Sequence, residues 1–345
     1  HPYEGIRSTA MGGTLITTGV LDENFFGNPA RAVDNQQEFH WTLLDPMVEA
    51  NTNLKDTIKN VTDGTIRLDN VSAAITTFTG HNYHARFQET GPFTFYLPWR
   101  EDSTWALAWS FNITSIQLDL AAHGLSLEPQ AVLDVGPAFT FAKTFFSDHS
   151  LAVGFTGHFG LRGATTPEIG IVNILTKANS LEAKDFGKLG MRGDFDLGAT
   201  YILPFELHGF QIMPGFAVNN VMAKPYSEIT SEFTIPDTAP RTLGLGASLF
   251  THELSFMDRT EFAFELTDLG ANRTGSIFRN IHFGGETRYG ILVLRGGNNQ
   301  GYWTWGAAID GSFLALEFSS YGRELSLNPG LEEDRIYQAR ATLRI

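Results

Sequence analysis

Residues 261–266 read EFAFEL, with Phe262, Phe264 and Leu266 alternating against Glu261, Ala263 and Glu265. A period of two is the mark of a β-strand. Carboxylates at every second position cannot lie unpaired in a dry core, so one face of this strand is expected to be wet and the other apolar. The same rhythm returns in DFDLGATYIL, where Phe195, Leu197, Ala199 and Tyr201 face away from Asp194, Asp196, Gly198 and Thr200. In TWALAWSFNITSIQLDLAA, from Thr104, the residues Trp105, Leu107, Trp109, Phe111 and Ile113 oppose small or polar neighbours.

A soluble sandwich alternates too. Two further features favour a lipid-facing wall. Aromatic and aliphatic residues fill the apolar face of strand after strand, and short links alternate with long ones. Asp310-Gly311, Tyr289-Gly290, Pro204–Gly209 and 147–150 are short, whereas 323–333, 269–280, 224–239 and 165–187 are long. Short turns on one rim and long loops on the other is the habit of outer-membrane barrels. About fourteen strands fit between residues 37 and 345, and an even count places both termini on the short-turn, periplasmic rim. The predicted fold is all-β: a closed antiparallel transmembrane barrel.

The composition agrees. The 345-residue chain holds 35 glycines and 28 phenylalanines, and its charged fraction of 18% lies below the roughly 25% usual for soluble domains. Mean hydropathy is −0.10, and no apolar run approaches the roughly 18 residues of a spanning helix. A net charge of −14 without Lys/Arg clusters argues against nucleic acid. The lack of cysteine removes disulfides and thiol chemistry. The chain begins at His1 without a basic and apolar leader and reads as a mature form after signal-peptide removal.

Two helices are expected within the loops. Leu54, Ile58 and Val61 share a face after an Asn53 cap, inside a long excursion over 50–83. Ile169, Val172 and Leu175 share one between Pro167 and Asn179, in an extracellular loop over 165–187. In the third strand, apolar residues move from odd to even positions after Ile113. A bulge near Thr114 and Ser115 would keep them outward, either as an ordinary irregularity or as a kink in the wall. The last strand, RIYQARATLRI, sets Tyr337, Ala339, Ala341, Leu343 and Ile345 against Gln338, Arg340, Thr342 and Arg344.

Residues 5–32 stand apart from this pattern. They are rich in small residues and contain RSTAMGGT and NFFGNPA. With the later IHFGGETRYGILVLRGGNNQG, these stretches resemble the FadL-type long-chain fatty acid transporter superfamily, including its PorV-like members. The likeness is strongest over 5–32 and 240–345, and between them it rests on strand rhythm. The resemblance implies an N-terminal hatch, residues 1–36, inside a barrel formed by 37–345. Arg7, Ala10, Met11, Gly12, Gly13, Asn28, Pro29 and Ala30 would belong to that hatch. Glycines would permit tight turns and close backbone approach, and Asn28 would satisfy backbone groups that no ladder reaches. The resemblance also implies a kinked third strand with lateral release.

No nucleophile elbow, zinc helix or P-loop is present, and no enzyme activity or cofactor is expected. His81 and His84 make a weak metal pair, so no metal site is assigned. Three roles remain. The first is transport of a hydrophobic or amphipathic, fatty-acid-like molecule through hatch movement, its apolar part against Leu15, Ile16, Phe25 and Phe26. A carboxylate would need Arg7, Arg31, Arg288 or Arg295, each of which could instead belong to an ion-pair ladder. The second is a PorV-like partner barrel of a secretion or surface-assembly machine. The third is a sealed structural barrel. The partners expected are membrane lipid, a small hydrophobic ligand and, in the second role, a protein.

Overall fold

The computed structural model describes residues 4–35, 40–63, 80–91, 93–98, 104–123, 126–165, 169–170, 188–229, 240–251, 257–270, 276–326 and 328–345. Fourteen wall strands run antiparallel. Strand β1 has two halves, His40–Leu44 and Met47–Asn51, as does β2, Asn82–Glu89 and Thr94–Pro98. Then follow β3 (Trp105–His123), β4 (Ser126–Phe145), β5 (Leu151–Thr165), β6 (Lys188–Tyr201) and β7 (Phe210–Asn219). The rest are β8 (Thr242–Thr251), β9 (Arg259–Leu266), β10 (Ile281–Tyr289), β11 (Leu292–Asn299), β12 (Tyr302–Asp310), β13 (Leu314–Glu324) and β14 (Glu333–Arg344). Strand β14 pairs with β13 on one side and with both halves of β1 on the other, through Thr42↔Arg344 and Val48↔Ala339. The cylinder is closed, which leaves no sheet edge to satisfy in lipid.

The alternation falls as the residues demand. On β9, Phe262 and Phe264 are each 51% exposed on the outside, whereas Glu261 and Glu265 are fully buried inside. The expectation of a wet inner face is corrected here: these carboxylates are enclosed, and the N-terminal segment supplies partners to both, beside Arg259 at Glu261. Trp303, Trp305 and Ile309 point outward from β12, while Thr304 and Ala308 point in. The links after β2, β4, β6, β8, β10 and β12 lie on the rim that carries both ends of the barrel chain. The opposite rim carries the longer connections and the helix α1, Thr52–Thr62. Its cap is Asn51, whose side-chain oxygen accepts the Leu54 N–H at 3.0 Å. The expected cap, Asn53, instead donates its amide to the Asn82 carbonyl. The helix expected over 167–179 lies outside the described residues except at Ile169–Gly170, which pair with Leu127 and Ser126 as a short ladder.

A line of irregularity crosses four neighbouring strands at one height. Strand β1 breaks at Asp45-Pro46 and β2 at 90–93, where Phe93 adopts a φ of +81°. The β3–β4 register shifts between Ser110 and Ile113, so that Phe111 and Asn112 face the single residue Pro137. Phe111 and Asn112 both stay exposed, and Ile113 turns inward. The bulge therefore precedes Thr114 and Ser115, which pair regularly with Val135 and Asp134. Beyond it the β4–β5 ladder lapses at Gly136 and Pro137. Proline has no N–H to give a ladder, and a Cβ on Gly136 would collide with the Phe159 carbonyl. Asp45 ties the seam inward by accepting the N–H groups of Thr90 and Gly91, at 2.7 and 3.0 Å.

Residues 4–35 contact the inner faces of opposite sides of the wall. The short helix α0, Ile6–Ala10, touches β11–β14, and the 3-10 turn Pro29–Asn35 touches β2–β6. Most side chains of this segment are buried.

Candidate functional site

Charge pairs fasten the N-terminal segment to the wall. Arg7 donates to Glu286 at 2.9 Å, to Glu261 at 3.0 Å and to the Thr18 carbonyl. Arg295 bridges Glu286 and Glu317, both at 2.7 Å. Arg340 lies 3.6 Å from Glu317 and clasps both oxygens of Asp22 at 2.9 and 3.0 Å. Signs thus alternate from Glu261 through to Asp22, and the ladder holds the segment at two points. Between them, Glu265 accepts the N–H groups of Leu15, Ile16 and Thr17 at 2.7, 2.9 and 2.8 Å.

Glycines set the approach. Gly12 and Gly13 have φ of +73° and +88°, a region that glycine enters without a Cβ penalty. Across from them a Cβ on Gly297 would sit 2.6 Å from the Gly12 nitrogen. Gly12 donates its N–H to Thr304 at 3.0 Å, and its carbonyl accepts from His282 Nδ1 at 2.8 Å. Asn28 donates to the Ile16 and Ala199 carbonyls at 2.8 and 3.3 Å, and its oxygen accepts the Ala30 N–H at 3.0 Å. Pro29 and Ala30 rest on Gly154 of β5.

Above the segment, towards the long-loop rim, lies a cavity of about 650 Å³ lined in part by Leu15, Ile16, Phe26, His282, Arg279 and Arg323. A smaller cleft of about 70 Å³ opens at the seam, against Ile113, Gly136, Pro137, Phe159 and Tyr226. Phe26, Ser115, Asp134, Asn219 and Asn220 line both. The two spaces therefore meet at Phe26. Asn219 steadies that point by donating to the Phe26 and Gly27 carbonyls at 3.2 and 2.8 Å.

Of the residues expected to touch a ligand, Leu15, Ile16 and Phe26 come together here. Phe25 is instead fully buried in a core with Tyr96, Ala108, Ile113 and Ala138. Arg31, Arg288 and Arg295 line neither space. Each is engaged: Arg31 with Asp34, Arg288 with Asp310, and Arg295 in the ladder. Most of the cavity's own charges are paired as well, whereas Arg279 donates to the Glu324 carbonyl and Asp268 Oδ1 has no hydrogen-bond partner among the described residues. Glu4 lies 3.3 Å from Arg86, Asp134 2.7 Å from Arg162, and Arg323 2.8 Å from Asp334. Asp134, Arg162, Arg192, Asn219, Asn220 and Tyr226 were not singled out from sequence. A signal for them lies in Gly136-Pro137 in the middle of a strand, a place where proline marks a bulge or an edge.

His84 presents Nδ1 to Asp119 at 2.6 Å and Nε2 to Glu49, while His81 lies edge-on to Tyr83. Among the described residues no cluster could hold a metal ion.

One carboxyl of the segment gives it a pH response. Burial pushes Glu23 up to about 7, against the pull of Arg7. One of its oxygens accepts the Ser8 N–H at 2.9 Å, while the other has no hydrogen-bond partner. The folded state thus holds this proton more tightly than an unfolded chain with the ordinary value of 4.5. Its contribution favours docking below that value and is lost as pH rises to about 7, by on the order of 3 kcal/mol. Glu4 acts in the opposite sense: despite burial, Arg86 holds it down to about 2, so its contribution is lost as pH falls below 4.5. Docking is expected to be tightest near pH 4 to 5. Protease access to the segment should rise from pH 5 to pH 8 in the native chain and stay level in Glu23→Gln.

No protein-family model matches the sequence, nor does any curated protein. Solved structures match over nearly the whole chain. A TodX deltaS2S3 mutant, a monoaromatic hydrocarbon channel, is similar with a TM-score of 0.52 at 12% identity, over 99% of this chain and 98% of that one. The Ralstonia pickettii toluene transporter TbuX gives 0.47 at 14% identity, over 99% and 97%. A Pseudomonas aeruginosa FadL homologue gives 0.35 at 10%, over 98% of each chain.

Proposed function

We propose that this FadL-type barrel is an outer-membrane passage for a neutral hydrophobic small molecule. The molecule enters the cavity from the long-loop rim and leaves sideways where the seam of β1–β4 ends, at the lapsed β4–β5 ladder. The observation that carries this reading is the junction at Phe26, where the cavity meets a cleft lying against the lapsed ladder at Gly136-Pro137. The cavity falls within the roughly 300–1,000 Å³ of ordinary ligand sites. The cleft, at about 70 Å³, is smaller than the roughly 150 Å³ that accommodates benzene. Passage therefore requires Phe26 or Phe159 to swing aside.

A neutral cargo fits because Glu4, Asp134, Arg162 and Arg323 along the path already hold opposite partners. A carboxylate passing the junction at Phe26 would have to break the Asp134–Arg162 pair. The name of one similar structure, a monoaromatic hydrocarbon channel, agrees with such a cargo. Proteoliposomes holding the purified chain should take up toluene faster than empty vesicles. Equal rates would end the proposal.

The N-terminal segment stays in place during passage. Pulling it out would strand buried charges on both sides, at about 3–5 kcal/mol for each broken pair. A lock tests this directly. Thr9 Oγ1 and Ser319 Oγ lie 3.3 Å apart, and the chain has no cysteine of its own. Thr9→Cys with Ser319→Cys should form a single disulfide that leaves toluene uptake unchanged. Uptake that stops on oxidation and returns on reduction would mean that the segment moves as a hatch.

A further inference from the structure

We infer that Arg162 and Arg192 form a binding slot for a phenol, with Tyr226 occupying it as an internal stand-in. The inference rests on the passage proposed above and names a selective step within it.

Two guanidinium groups lie over the Tyr226 ring, with the Arg162 carbon 5.2 Å and the Arg192 carbon 5.1 Å from its centroid. Both cations are held in orientation. Arg162 makes a two-point pair with Asp134 at 2.7 and 3.0 Å, and Arg192 donates to Asn220 at 2.7 Å. Planar, weakly hydrated guanidinium groups stack on π faces. An aliphatic molecule in the same place would cover two cations and return only apolar contact.

The position of the stack gives it a role. Arg162 lines the cavity, whereas Tyr226 and Arg192 line the cleft. The stack is thus part of the partition between the two spaces, beside Phe26. Tyr226 comes from the β7–β8 connection, which is tied to the wall next to it by the short ladder Ser227↔Met191 and Glu228↔Gly190. A two-residue tie is enough to seat the ring and few enough to release it.

Tyr226 itself reports the preferred chemistry. It is 5% exposed, and burial raises its hydroxyl above the ordinary value, so the slot holds an uncharged phenol. The cleft supplies His158, Asp196, Asn219 and Asn220 as hydrogen-bonding groups for a hydroxyl at the edge of an incoming ring. A ligand with a flat electron-rich face and one hydroxyl would replace Tyr226 group for group, and the displaced ring would open the partition.

Calorimetry on the purified full chain in detergent tests the slot with para-cresol, its saturated analogue para-methylcyclohexanol, and toluene. Two guanidinium contacts should make para-cresol bind about ten-fold tighter than the saturated alcohol. Tyr226→Ala removes the internal competitor and should tighten para-cresol several-fold while leaving the alcohol unchanged. Toluene, with the ring but no hydroxyl, should bind more weakly than para-cresol; Tyr226→Phe keeps the ring and should tighten para-cresol less than Tyr226→Ala does, and Arg192→Gln, which leaves Arg162, should reduce the preference. Equal affinity of the native chain for para-cresol and para-methylcyclohexanol would overturn the slot, as would a Tyr226→Ala chain that gains equally for both. Toluene uptake that persists beside such a result would remove the slot and leave the passage standing; loss of toluene uptake would remove the passage itself.

Discussion

Arg7→Ala is expected to lower folding stability by about 3–5 kcal/mol and to turn a closed lumen into a conducting one. Arg7 is the only residue of α0 that reaches both Glu261 and Glu286. Without it Glu286 keeps Arg295 and Glu261 keeps Arg259, but four buried acids, Glu261, Glu286, Glu317 and Asp22, would face one cation fewer. A Glu261 oxygen already has no hydrogen-bond partner, so the lost guanidinium leaves a carboxylate with little to offset its burial. The segment should then spend time undocked. Guanidinium titration in micelles should show the lower midpoint, and planar-bilayer recording should show a conductance absent from the native barrel. Arg7→Lys, which keeps the charge and loses the fork, should fall between the two. Native values of both midpoint and conductance in Arg7→Ala would remove the ladder from its role as a fastening.

The second large effect concerns the seam. Deleting Asn112 should bring toluene uptake down to the level of empty vesicles while the barrel remains folded. Two residues of β3 now oppose Pro137; with one removed, Phe111 faces Pro137 and Ile113 follows inward without a slip. The ladder would then run unbroken from Ser110 to Thr114, and the strands beside the cleft would draw together. Alternation survives the deletion, because Ile113 already points into the barrel and Phe111 already points out. Stability should hold or rise, which separates this variant from one that merely misfolds. Unchanged uptake in a folded deletion variant would show that cargo leaves by another route.

The barrel itself was legible because alternation is a local property. Glu261-Phe262-Ala263-Phe264 declares two faces within four residues, and the apolar face repeated in strand after strand, with short links alternating with long ones, favours a closed wall over a sandwich. The inner face was harder to read. Its carboxylates suggested water, and it took the contacts of Arg7 and of the Leu15–Thr17 backbone, more than two hundred residues away in the chain, to show burial with partners. The seam was half visible: the change of phase in β3 was plain, but its position depended on Pro137 across the ladder. The candidate site was the least visible part. Tyr226, Arg162 and Asn219 come from a loop and two strands, and no spacing relates them. Conversely, Arg31, Arg288 and Arg295 looked like anchors for an acid only while their own acids remained out of sight.

The ladder also bears on how the molecule is made. Its partners for Arg7 and Asp22 reside on β9, β10 and β14, which are synthesised well after the residues they receive. Such far-apart pairings are slow to form. The leading stretch must therefore wait until those later staves are in place, and a chain cut short before β14 would leave Asp22 without Arg340, its counter-charge.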